Sequence, residues 1–126
     1  MTVLDASALL ALLRDEPGAE LVAAELDGAV VCAVNFAEVI GKLIDATFDP
    51  SRLRPLLSAA GVTVEPLTAD DAELAGALRG IDRGRELSLG DRCCLALTAR
   101  MDRGVVLTAD RVWADLGLPI QVRLIR

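Results

Sequence analysis

The sequence predicts an α/β fold, a parallel sheet with helices on both faces, and three observations carry that expectation. Short apolar runs alternate along the chain with stretches of helical spacing. The clearest run, AVVCAV over residues 29–34, is continuously apolar and rich in valine, as a strand buried on both faces requires. Gly or Pro punctuates the segments, at Pro17, Gly18, Gly28 and Gly61. With 126 residues, 53% of them hydrophobic, the chain suffices for one packed core and is too short for two ordinary domains. A single domain over 1–126 is expected.

Each element follows from its pattern. Thr2 to Leu4 read as a buried strand, and Leu9, Leu10, Leu12 and Leu13 give the next helix its apolar face, so Asp5 lies where strand turns into helix. Ala19 to Leu26 predicts a second helix, ended by Gly28. Ala29 to Val34 is the second strand; Asn35 to Thr47 is a helix with Phe36, Val39, Ile40, Leu43 and Ile44 as its apolar stripe. Pro50 to Ala60 is helical, and Val62 to Leu67 is a third strand whose Pro66 suggests a sheet edge. Thr68 to Gly80 is a helix opened by a Thr68/Asp71 capping box. Leu89 to Met101 is a strongly apolar helix, Gly104 to Leu107 a short strand, Asp110 to Leu116 a short helix and Ile120 to Ile125 the last strand.

Absent residues narrow the chemistry. There is no histidine, no tyrosine and a single lysine, Lys42, which excludes Ser-His-Asp, Cys-His and His-ligated zinc mechanisms for the chain acting alone. A hydrolase built from this chain must use carboxylates or metal-bound water. The net charge of −6 argues against broad electrostatic adhesion to nucleic acid, so any RNA contact must be local or carried by metal ions. Cys32, Cys93 and Cys94 form no C-x-x-C pair and are expected as reduced core thiols of a cytosolic protein. No apolar segment approaches the roughly 18 residues of a membrane span. Phe36, Phe48 and Trp113, the only aromatic residues, are assigned to the core.

Four acids stand near one predicted sheet edge. Asp5 follows the first strand, Glu38 lies one turn into the helix after the second, Asp91 opens the long helix feeding the fourth, and Asp110 follows the fourth. Helix capping explains each one singly: Asp5 and Asp110 as N-caps, Asn35-x-x-Glu38 and Ser88-x-x-Asp91 as capping boxes. Capping leaves their convergence unexplained. Converging carboxylates repel one another unless a cation sits among them, and an all-oxygen set suits Mg²⁺ or Mn²⁺.

These segments resemble the PIN domain family, and within it the VapC-like ribonuclease toxins of type II toxin–antitoxin systems. VLDASALLALL is similar to the family's opening strand and helix with the first acid at Asp5, and VNFAEV carries the second at Glu38. LSLGDRCCLALTAR resembles the segment holding Asp91, and VVLTADRVW the one ending near Asp110. The resemblance implies a three-layer α/β/α fold with a central, mainly parallel sheet, and Mg²⁺- or Mn²⁺-dependent endonucleolytic cleavage of RNA. It makes Asp5 and Asp91 the metal ligands, with Glu38 and Asp110 completing the catalytic pocket directly or through water. Ser7, Asn35 and Thr108 become ligand-orienting residues, and Arg92 and Arg111 contacts for RNA phosphate. It also implies a VapB-like antitoxin that blocks the pocket; an apolar helix face leaves room for a homodimer.

Rival classes fit less well. Asp5-Ala6-Ser7 lacks the second aspartate of a D-x-D nucleophile loop, and no G-x-x-x-x-G-K segment is present. The alternative kept open is a PIN-like scaffold that binds RNA or a partner without cutting.

Overall fold

A computed structural model describes residues 1–126. Five strands form one wholly parallel sheet in the order β3-β2-β1-β4-β5: β1 Thr2–Leu4, β2 Val30–Cys32, β3 Thr63–Glu65, β4 Val105–Thr108 and β5 Gln121–Leu124. Around it lie α1 Ala6–Leu13, α2 Ala19–Ala24, α3 Ala33–Asp45, α4 Leu53–Ala59, α5 Ala69–Ala77 and α6 Leu89–Arg100. Short 3-10 turns fill Pro50–Arg52, Leu78–Gly80, Gly84–Glu86 and Arg111–Asp115.

Strand residues alternate between two separate cores, because successive side chains point to opposite faces. Val3, Val30, Cys32 and Val106 pack with Cys93, Leu97 and Trp113 on the α5–α6 side. Leu4, Val31 and Leu107 pack with Leu9, Val39, Leu53 and Leu57 on the side of α1, α3 and α4. Three layers result, as expected. Both faces of the central strands are covered, which is why their sequence shows no polar alternation.

The strand order places the site. From β1 the chain runs outward through β2 to β3, then crosses back to lay β4 on the other side of β1 in the register Val3↔Val106. The carboxyl ends of β1 and β4 therefore flank the point where the winding reverses, the crevice in which open α/β sheets bind ligands.

Several boundaries differ from expectation. α3 begins at Ala33, so Ala33 and Val34 are helical, and Cys32 is the N-cap, with no side-chain capping bond. Asn35 is therefore a buried residue inside the first turn, and the expected Asn35/Glu38 capping box does not exist. Phe48, assigned to the core, is 65% exposed, and Ile44 at the end of the α3 stripe is 57% exposed. Phe48 instead borders a groove of about 640 Å³ with Leu13, Leu43, Leu53 and Leu56. The edge position of β3, the Thr68/Asp71 capping box and the three buried free thiols match expectation. No helix is long and apolar enough to cross a membrane.

Candidate metal and nuclease site

Asp5 follows β1 and caps α1, where its Oδ1 accepts the Ala8 N–H at 2.7 Å. That bond uses only part of the carboxylate. The Thr108 hydroxyl at the end of β4 donates to Oδ2 at 2.6 Å, and the Ser7 hydroxyl lies 2.7 and 2.9 Å from the two oxygens. Each hydroxyl is in turn oriented by a backbone donor: Ser7 Oγ accepts from Ala109 N–H and Thr108 Oγ1 from Asp110 N–H. Ser7 and Thr108 therefore hold the Asp5 carboxylate through both of its oxygens. Burial pushes the Asp5 carboxyl up to about 6 against these donors, and the nearby Asp91 charge pushes the same way.

Asp91 opens α6 in a reciprocal capping box with Ser88, its Oδ2 accepting Ser88 N–H at 2.9 Å and its own N–H donating to Ser88 Oγ at 3.1 Å. Asp110 caps the 3-10 turn after β4 through Val112 N–H at 3.0 Å. Glu38, the one exposed acid of the four, accepts from Asn35 Nδ2 at 2.9 Å, and its carboxylate lies over Gly90. Asp5, Asp91 and Glu38 each act on the fully buried Cys94 thiol, whose pKa is raised first by burial and then by these charges.

The four acids therefore share one edge, yet no three acidic or cysteine side chains stand close enough together to enclose a metal ion. The set still fits a hard cation. All donors are oxygens, Asp5 is a desolvated carboxylate beside a second one, and Asn35 Oδ1 is a buried acceptor without a partner. Mg²⁺ keeps much of its water and takes only one or two carboxylates directly.

Arg92 departs from expectation. It is buried, and its Nη1 donates to the Ala75 carbonyl at 2.8 Å, so its guanidinium ties α6 to α5 and is withdrawn from any phosphate. Arg111 is exposed beside Asp110. Sequence reasoning missed Gly90, whose only signal was a glycine near the start of an otherwise strong helix.

A parallel three-layer α/β domain with carboxylates at the winding reversal defines a class of proteins with an acid-lined crevice at the carboxyl edge of the sheet. The PIN domain family model matches residues 2–118, and the chain belongs to that family. It is 36% identical over 111 residues to VapC ribonuclease Mb0625 of Mycobacterium bovis and, equally, to ribonuclease VapC28 of Mycobacterium tuberculosis. In each case the match covers 80% of this chain and 82% of the relative. Among solved structures, a toxin–antitoxin complex from Klebsiella pneumoniae superposes with a TM-score of 0.76 at 24% identity, covering 100% of this chain and 98% of the other. VapBC2 from Rickettsia felis, bound to a promoter DNA fragment, gives 0.68 at 11% identity, covering 98% and 97%. These two likenesses are of fold.

Proposed function

We propose that the chain, acting as one domain over its 126 residues, is a Mg²⁺- or Mn²⁺-dependent endoribonuclease and the toxin half of a toxin–antitoxin pair. The observation that carries this reading is Asp5: a nearly buried carboxylate at the winding reversal, beset by a second acid and furnished with more hydrogen bonds than a helix cap needs. The relatives named as ribonucleases support the substrate class.

Asp5 and Asp91 would hold the ion, with Glu38 and Asp110 reaching it through water. When bound, such an ion makes water acidic and neutralises phosphate oxygens. The remaining work falls to the chain. Ser7 and Thr108 fix both Asp5 oxygens, so the carboxylate needs no reorganisation on binding. Glu38, open to solvent, takes up the proton released from the attacking water. Arg111 meets substrate phosphate.

A VapB-like antitoxin is the proposed partner. The uncovered groove along Leu13, Phe48 and Leu56 is the kind of apolar surface such a partner buries, and an Arg or Lys from it would answer the acids. We further propose a homodimer acting in the cytoplasm.

The test is cleavage of RNA by the purified, antitoxin-free protein with Mg²⁺ or Mn²⁺ against EDTA. Cleavage that needs the ion and vanishes in Asp5→Asn and Asp91→Asn is expected; cleavage unaffected by either substitution would sink the proposal. The alternative reading is a PIN-like scaffold that binds RNA or a partner without cutting. Saturable Mn²⁺ binding without any cleavage would support that alternative.

A further inference from the structure

Gly90 occupies the second position of α6 with ordinary helical backbone, where glycine is a poorer helix former than alanine. Its neighbour explains the glycine. A Cβ at residue 90 would fall onto Glu38 Oε1, 2.6 Å from Cδ and 2.9 Å from Oε2, so the Glu38 carboxylate fills the space that a side chain would take. Asn35 fixes the same carboxylate: its Nδ2 donates to Glu38 Oε1 at 2.9 Å and to the Gly90 carbonyl at 3.0 Å.

Both partners are acceptors, so the amide must turn its nitrogen toward them. Its Oδ1 is left buried and unpaired, in a residue only 2% exposed. Two unfavourable choices, a glycine in a helix and an orphaned amide oxygen, thus meet at one carboxylate. Neither helps α3 or α6 as a helix. What they achieve is to join Glu38, on one helix, to the turn of another that bears Asp91.

We propose that Asn35 and Gly90 form a latch that sets the Glu38 carboxylate beside Asp91, which makes both of them positioning residues of the site. The inference rests on the ribonuclease reading above.

The discriminating variant is Gly90→Ala. The atoms its methyl group meets are the end of a flexible side chain, so the helix accepts the substitution and the carboxylate swings away. The expected result is an unchanged or higher Tm, a kcat lower by on the order of 10- to 100-fold with KM for RNA little altered, and weaker Mn²⁺ binding by electron paramagnetic resonance. Asn35→Ala should repeat the kinetic pattern. In a Glu38→Gln background Gly90→Ala should add almost nothing, because both act through one carboxylate. A wild-type rate in Gly90→Ala, a lowered Tm in that variant, or losses that multiply fully in the double variant would each overturn the latch. Wild-type protein that cuts no RNA with either ion overturns the ribonuclease reading instead, and Mn²⁺ binding by the same variants then decides the latch.

Discussion

At the scale of the residue, Asp5 meets two demands that pull against each other. A helix cap wants a carboxylate in place, whereas burial and the neighbouring Asp91 penalise its charge, and the balance leaves its pKa near 6 against an ordinary 3.8. Between those values Asp5 holds more proton in the folded chain than in the unfolded one, so without divalent ions its contribution to stability falls as pH rises from about 4 to 6. The shift corresponds to about 3 kcal/mol at most. Urea unfolding in EDTA should show that slope, and Asp5→Asn should flatten it; an unaltered slope would mean that Asp5 is not the group responsible. Thr108→Val removes the donor to Asp5 Oδ2 and strands the Asp110 N–H, and should cost about 1–3 kcal/mol in the same assay. Asp5 was legible because strand-to-helix punctuation is local. Arg92 was not: adjacency to an acid in sequence says nothing of a side chain that turns under α5, and only the packing reveals it.

At the scale of the element, capping chemistry carried well from sequence to structure wherever the cap is self-contained. Thr68/Asp71 and Ser88/Asp91 both close their boxes. Asn35/Glu38 has the same spacing but sits one turn too late, because α3 starts directly from the buried strand residue Cys32. Valine and alanine at 33–34 suit either element, so periodicity alone set the boundary wrongly. Phe48 misled for a related reason: an apolar residue beyond a helix end reads as core until the neighbouring helix is known to leave a groove. The α5–α6 pairing offers a separate test. Buried Asp71 accepts both Thr68 N–H and Arg100 Nε, the latter at 3.0 Å to each oxygen. Arg100→Met should lower the urea midpoint by the equivalent of about 1–3 kcal/mol while RNA cleavage stays near wild type, since neither side chain bonds to any of the four acids of the site.

At the scale of the whole molecule, the alternation of runs predicted a parallel layered sheet, yet the order of strands was not readable. Nothing in five short apolar runs says which neighbours which; crossover handedness and long-range packing decide it. That order is what turns isolated acids into a shared edge, since Asp5 and Thr108 meet only because β4 returns to β1. A chain ended at residue 103 loses β4 and the strand beyond it, and should show no cooperative unfolding by circular dichroism. The same return has a meaning for a cell that makes a nuclease. While the polypeptide is still emerging from the ribosome, the first forty residues hold two of the acids with no fourth strand to anchor them, and the pocket is completed among the last to arrive. Completion of the acidic pocket is thereby deferred until translation is all but over.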